Sequence, residues 1–400
     1  MRVLLVSHTC QSSTEGQPRA VEVAKRPGLE LCVLVPSRWK HYGAWRAPEI
    51  PETPQFRYEV GRVRWPWIPG AQCYLHHYPD LAQVLREFRP DVIDLWEEPW
   101  SLVSAQACLW RNRICPKAKI IAETEQNIFK FLPPPFEYLR RIVHRNAAFL
   151  IGRSEEAVEV SRRKGYRGLA ATVPNGVDAT LFRPLDRLAC RLELLGPGSE
   201  SRFIAGYVGR LVPEKGLMDM IEALPTCGES VDLLFVGSGP MEQELRERAA
   251  QLGLAERVKI LPQQRLESLP RVMNALDVLV LVSRTTASWK EQFGRVIIEA
   301  HAAGTPVIGS DSGAIPNVVG GGGLIVPESN PGDLAKAIRQ LAESPQWRAA
   351  MASEGRRRAM SECSWPSIAR RMDQIYHQVC RRDLARFGVA LPKAELETSR

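Results

Sequence analysis

Eleven short apolar runs recur along this chain, with longer stretches of helical character between them. In the first half they are Val3–Val6, Leu31–Val35, Val92–Leu95, Lys119–Ala122 and Phe149–Ile151. In the second they are Phe203–Val208, Leu233–Val236, Val258–Leu261, Val278–Val282, Val307–Gly309 and Leu324–Val326. Each run is continuously apolar rather than alternating, which predicts strands in sheets covered on both faces. Strands alternating with helices build right-handed βαβ units and parallel, doubly wound sheets. Two such sets predict an α/β chain of two Rossmann-like domains in tandem.

The boundary between the sets is marked by turn residues. Val173-Pro174-Asn175-Gly176-Val177-Asp178 closes the first set, and Gly196-Pro197-Gly198 precedes the first strand of the second. This gives domains 1–183 and 184–365. Asn330 followed by Pro331 reads as a helix N-cap. After Trp365-Pro366 the pattern predicts a long amphipathic helix to about Arg386.

Composition excludes several classes. With 44% hydrophobic and 24% charged residues over 400 positions, the chain can bury a core in each domain and is not a disordered or fibrous protein. The apolar run Ala275–Val282 is interrupted by Asp277 and is far shorter than the roughly 20 residues of a membrane span. The opening Met1–His8 has four consecutive apolar residues, which suits a first strand and not a signal peptide. Nine scattered cysteines without a C-x-x-C pair point to reduced thiols in a cytoplasmic protein. Residues 1–180 hold 25 Lys and Arg against 19 Asp and Glu, so most of the net charge of +8 lies there. That balance suits an anionic surface or acidic ligand, or simply solvated charge. No dense basic run with interleaved aromatics points to nucleic acid.

The richest segment is Glu291-Gln292-Phe293-Gly294-Arg295-Val296-Ile297-Ile298-Glu299-Ala300. A glycine separates a loop from an apolar helix, whose free N-terminal amides favour an anion. Glu299 is expected about two turns into that helix, with Glu291 ahead of its first turn. A carboxylate on each side of a phosphate site serves hydroxyl groups, which suits a sugar nucleotide: one Glu for the ribose, one for the hexose. The second segment is Gly206-Tyr207-Val208-Gly209-Arg210-Leu211-Val212-Pro213-Glu214-Lys215-Gly216. It puts Arg210 and Lys215 in one loop at a strand's carboxyl end, where two cations could neutralise a diphosphate without a metal. The competing reading is a salt-bridged surface loop, since Glu214 lies between them.

Other motifs fail on spacing. Glu214 stands where a Walker loop has Gly before its Lys, and Glu242 stands at the third Gly position of a dinucleotide fingerprint starting at Gly237. Gly-x-Ser-x-Gly, His-Glu-x-x-His and Asp-x-Asp are all missing from the sequence.

On these residues the chain resembles glycosyltransferase family 4, the retaining enzymes of the GT-B fold. The resemblance rests on Gly209-Arg210-Leu211 with Glu214-Lys215-Gly216, on Glu291 and Glu299, on Gly304-Thr305-Pro306-Val307, and on Pro174-Asn175-Gly176-Val177-Asp178. It implies two Rossmann-like domains facing across a cleft, the acceptor on the first and the donor on the second, with segment 366–400 crossing back to the first. It implies that Arg210 and Lys215 bind the donor diphosphate, that Glu291 bonds the transferred sugar, and that Glu299 holds the ribose. Gly209 and the loop Gln292, Phe293, Gly294 complete the donor side. The catalytic set is then Arg210, Lys215 and Glu291. A nucleoside diphosphate sugar is the expected donor, with neither cofactor nor metal required.

Departures lie in the first half. Where the family often has a Gly-Gly pair, the loop after the first strand has one glycine, Gly16; where many members have a histidine, Ala122–Asn127 has none, and Glu125 or Gln126 is the acceptor-side candidate. Asn317 stands where a Glu is frequent. Asp94–Pro99 follows a strand and is either an acceptor site or a solvated acidic loop. Aromatic and basic residues cluster at Trp39–Tyr42, Arg62–Trp67 and Phe129–Arg141. Such clusters suit peripheral contact with an anionic membrane and a lipid-linked acceptor, or else packed aromatics with snorkelling arginines. Retaining hexosyl transfer to a hydroxyl acceptor in envelope polysaccharide or glycolipid synthesis is the expected activity. Transfer to a small soluble acceptor, or sugar-nucleotide binding without catalysis, are the alternatives.

Overall fold

The computed structural model describes residues 1–41, 44–52, 54–64 and 71–386. All eleven predicted strands form, with ends within two residues of the expected ones. In chain order the strands are β1 (Arg2–Val6), β2 (Glu30–Pro36), β3 (Trp39–His41), β4 (Ala44–Arg46), β5 (Arg57–Gly61), β6 (Val92–Leu95), β7 (Lys119–Thr124), β8 (Ala147–Gly152) and β9 (Leu169–Thr172). The second half adds β10 (Phe203–Val208), β11 (Val231–Val236), β12 (Val258–Leu261), β13 (Val278–Leu281), β14 (Val307–Ser310) and β15 (Gly323–Val326).

One parallel sheet has the order β5-β2-β1-β6-β7-β8-β9 and the other β12-β11-β10-β13-β14-β15. In each sheet the direction of winding reverses beside its first strand, between β1 and β6 and between β10 and β13. The carboxyl ends of those pairs frame the crevice where doubly wound sheets take their ligands. β3 and β4 pair as an antiparallel hairpin apart from both sheets.

The additional strands β5 and β9 lie at the two edges of the first sheet and are mostly half-buried or exposed. Edge strands need no continuous apolar run, which is why Arg57-Tyr58-Glu59-Val60-Gly61 carries no strand signal of the kind sought.

The helix Trp365–Arg386 returns to the first sheet. Its Ile368, Met372, Ile375 and Val379 share one buried cluster with Val3, Leu5, Val33 and Phe149. Each such buried side chain contributes roughly 1.5–3 kcal/mol, enough together to fix the helix there. A buried polar contact orients it: the Tyr376 hydroxyl donates to Asp94 Oδ2 at 2.7 Å, and Arg19 reaches the same oxygen at 2.7 Å. Asn330 caps the helix Pro331–Glu343, its Oδ1 accepting the Asp333 amide at 3.0 Å.

One expectation is corrected in detail. The helix after Gly294 spans Arg295–Ala303, so Glu299 sits about one turn in rather than two. The left-handed Gly294 immediately ahead fixes the helix start at Arg295. Of the basic and aromatic clusters, Tyr42, Trp65, Pro66 and Trp67 lie outside the described residues, as does 387–400 of the closing segment. Among the described residues no helix is long and apolar enough to cross a membrane.

Candidate active site

The loops after β10 and β13 flank the crevice of the second sheet, and each brings in one charged side chain. Lys215 Nζ donates to Glu291 Oε2 at 2.6 Å, and Ser283 Oγ donates to the same oxygen at 3.0 Å. Both side chains are largely buried, and the Lys215 ammonium stands 4.6 Å from the Trp289 ring centroid. The plainer reading of the Arg210–Lys215 loop holds for one cation only. Arg210 is mostly exposed and lies 3.6 Å from Glu214, whereas Lys215 turns inward to Glu291.

Gly294 precedes the helix Arg295–Ala303 with φ of +81°, a left-handed conformation that a side chain would strain. The Phe293 side chain is buried in the core of the second domain, so only its backbone can serve a ligand. Gly209, with φ of +152°, leaves no room for a Cβ, which would stand 2.7 Å from the Tyr207 hydroxyl. Glu299 is half-buried and makes no hydrogen bond or ion pair among the described residues; burial raises its carboxyl above the usual range. An unpartnered carboxylate one turn into a helix, beside a Lys–Glu pair, is an arrangement that offers acceptors to hydroxyls and donors to an anion.

The first domain touches this loop directly. Asn127 Nδ2 donates to the Glu291 carbonyl at 2.9 Å, and Gln292 Nε2 donates to the Glu125 carbonyl at 3.1 Å. Lys290 pairs with Glu156. Glu125 thus meets the donor loop through its backbone, while its half-exposed carboxylate lies 3.6 Å from Arg153. Gln126 has its Nε2 buried without a partner. Gly16 is buried at the start of the helix Gln17–Ala24, where a Cβ would come within 2.5 Å of the Thr9 and Cys10 backbone. Asn317 lies three residues after Ala314, whose amide donates to the Glu291 carbonyl at 3.1 Å, on a cavity of about 490 Å³ that Phe293, Arg153 and Arg371 also line.

A second pair, not anticipated from the sequence, occupies the crevice of the first sheet. His8 follows β1 and Glu97 follows β6. The His8 amide donates to Glu97 Oε1 at 2.6 Å, and His8 Nδ1 lies 2.8 Å from Oε2. Trp39 stacks on the imidazole at 4.4 Å. Burial pulls His8 down, but the Glu97 carboxylate outweighs it and the histidine titrates above its usual range. Burial likewise pushes Glu97 up, yet His8 and His76 bring it down to about 2. The visible signal was a histidine directly after the first strand.

The acidic loop after β6 is therefore built in rather than solvated. Glu98 accepts from the Thr124 hydroxyl and the Glu125 amide, both at 2.7 Å, and burial raises its carboxyl to about 7. The aromatic clusters divide. Trp39 is packed and Arg140 is buried against Glu137, whereas Phe131 and Tyr138 are exposed. Among the described residues no three His, Cys, Asp or Glu side chains gather as metal ligands do.

Comparison with known proteins agrees with this architecture. Residues 197–358 match the family profile of glycosyl transferases group 1. A D-inositol 3-phosphate glycosyltransferase of Nocardia farcinica is 35% identical over 217 residues, 50% of this chain and 46% of the relative. A GDP-mannose-dependent alpha-(1-6)-phosphatidylinositol monomannoside mannosyltransferase of Mycobacterium tuberculosis is 29% identical over 277 residues, 66% of this chain and 70% of the relative. The chain spans about half the length of most of the curated relatives it matches. Among solved structures, a sucrose-phosphate synthase of Thermosynechococcus elongatus superimposes with a TM-score of 0.71 at 23% identity, over 95% of this chain and 99% of that one. Anabaena HepE, crystallised with UDP and glucose, superimposes with a TM-score of 0.65 at 21% identity, over 94% and 100%. The two parallel Rossmann-like sheets give the chain the GT-B fold, and its residues 197–358 are similar to the glycosyl transferases group 1.

Proposed function

We propose that this protein transfers a hexosyl unit from a nucleoside diphosphate sugar to a hydroxyl acceptor, with retention at the anomeric carbon. The observation that carries the reading is the Lys215–Glu291 contact at the crevice of the second sheet, with Glu299 unpartnered in the helix that follows. Lys215, Arg210 and the amides ahead of Arg295 form a cationic rim for the diphosphate. Glu291 is placed for a sugar hydroxyl and Glu299 for the ribose. When the anomeric C–O bond breaks, charge develops on the departing phosphate, and fixed donors aimed at that position supply the largest catalytic contribution. The acceptor oxygen forms the new bond to the anomeric carbon, and its proton passes to the phosphate oxygen. No carboxylate nucleophile is assigned, and no metal is required.

The acceptor is assigned to the crevice of the first sheet, where His8, held by Glu97, meets the substrate hydroxyl. Relatives named for phosphatidylinositol mannosides and for D-inositol 3-phosphate support a phosphorylated polyol acceptor, in lipid-linked or soluble form. The exposed Phe131 and Tyr138, on the segment that follows β7, favour the lipid-linked form and a cytoplasmic protein resting on an anionic membrane. A thermal-shift panel of nucleoside diphosphates and their sugars tests the donor assignment. A rise in melting temperature with at least one of them is expected, and no shift with any of them would contradict it.

A further inference from the structure

Away from the cleft, at the amino-terminal ends of β1, β6 and β7, lies a cavity of about 850 Å³. Three separate segments bring four exposed cations to it, with Lys119 of β7 in the lining besides: Arg86 and Arg89 around the end of the helix Leu81–Phe88, Lys117 in the turn before β7, and Arg381 near the end of the helix Trp365–Arg386. None of these four has a hydrogen bond or ion pair among the described residues. Asp91 is the one carboxylate in the lining, and its Oδ2 is taken by the Arg2 amide at 2.7 Å. Ile114 and Pro116 give the cavity an apolar wall.

Arg89 carries a second, independent oddity. It ends its helix with φ of +49° and ψ of +63°, a left-handed position normally held by glycine. Holding a non-glycine backbone there costs free energy, strain of the kind that gathers at ligand sites. The cations of the lining outnumber its one carboxylate, Asp91, and an anion would relieve that imbalance.

We propose that this cavity is a binding site for a phosphorylated small molecule, distinct from the donor crevice and at the opposite edge of the first sheet. Its volume falls in the range of small-ligand sites, and its cations, drawn from three segments, suit a multiply charged anion. Because the closing helix supplies Arg381 and also packs on the first sheet, the ligand would tie that helix to the domain. The assignment does not depend on the proposed transferase activity.

The test is calorimetry of the full chain with inorganic pyrophosphate, for the native protein, an Arg86→Ser/Arg381→Ser variant and an Arg210→Ala/Lys215→Ala variant. Binding that weakens at least tenfold in the first variant and survives in the second is expected. Binding lost only in the second, or identical in the first and the native protein, would overturn the site. Vesicles of phosphatidylcholine alone, and mixed with phosphatidylglycerol, separate the sources of phosphate. Sedimentation with the mixed vesicles that the Arg86→Ser/Arg381→Ser change abolishes would make a lipid headgroup the ligand; pyrophosphate binding alone would make it a soluble compound. Arg89→Gly serves as the folding control. It is expected to raise the melting temperature while weakening pyrophosphate binding several-fold, and unchanged binding would remove Arg89 from the site.

Discussion

Lys215 Nζ and Glu291 Oε2 stand 2.6 Å apart although 76 positions separate them in sequence. They meet because β10 and β13 are neighbours in the sheet, so the loops that follow these strands emerge side by side. Each side chain is therefore the other's partner in this structure; under the proposed function a phosphate and a sugar hydroxyl would replace the pairing on the two sides.

That exchange separates the roles of the two glutamates. Glu291→Gln is expected to slow sugar transfer by about 2–4 kcal/mol while leaving the affinity for the bare nucleoside diphosphate nearly unchanged. Glu299→Gln is expected to weaken the nucleoside diphosphate itself by about 1–2 kcal/mol, the scale of a lost hydrogen bond to a charged group. Calorimetry with the nucleoside diphosphate distinguishes them, and equal losses in both variants would dismiss the division.

The His8–Glu97 pair gives the fold a pH signature. Glu97 titrates at about 2 against an ordinary 4.5, so its stabilisation is present above 4.5 and is lost as pH falls through about 2. His8 is raised above 6.5, so its share is present below 6.5 and is lost as pH rises through the raised value. The pair contributes most between 4.5 and 6.5. Glu97→Gln should cost about 2 kcal/mol in that window and less above it. Urea melts across pH would show the difference, and a penalty that grows toward alkaline pH would rule the pairing out.

Excess EDTA should leave sugar transfer intact, since the proposed function gives the neutralisation of the diphosphate to Lys215 and Arg210. Loss of transfer in EDTA, restored by magnesium or manganese, would reverse that expectation.

Phe131 and Tyr138, 80% and 63% exposed, are large side chains on the outside of the acceptor domain. Sedimentation with phosphatidylglycerol vesicles at low salt is expected, weakening at high salt and falling several-fold in a Phe131→Ser/Tyr138→Ser variant. Native protein that stays in the supernatant at low salt would leave these aromatics without a membrane role.

The architecture was legible because the central strands are buried on both faces and therefore read as unbroken apolar runs. β5 and β9 were not, since an edge strand such as Arg57–Gly61 mixes charge with β-branched residues and satisfies no single pattern. Lys215 and Glu291 were legible as candidates in the motifs that carry them, alongside Arg210 and Glu299. Their mutual geometry was not: nothing in sequence says that Lys215 turns to Glu291 while Arg210 stays by Glu214. His8 escaped, and Glu97 was left between an acceptor site and a solvated loop, because the two meet only once β1 and β6 lie side by side. The sequence offered Glu125 and Gln126 on the acceptor side; the structure sets the Glu125 carboxylate 3.6 Å from Arg153 and leaves Gln126 Nε2 buried.

The most direct measurement is release of nucleoside diphosphate from a panel of sugar nucleotides by the native chain, Lys215→Ala and Arg210→Ala, with the product's anomeric configuration read by NMR. The expected result is turnover of one donor with its configuration retained. In the Lys215→Ala variant turnover should fall by about 2–4 kcal/mol of transition-state stabilisation, with less effect from the more exposed Arg210. Consumption of no sugar nucleotide by a folded native chain, or native rates in Lys215→Ala, would contradict the assignment of this crevice as the site of sugar transfer.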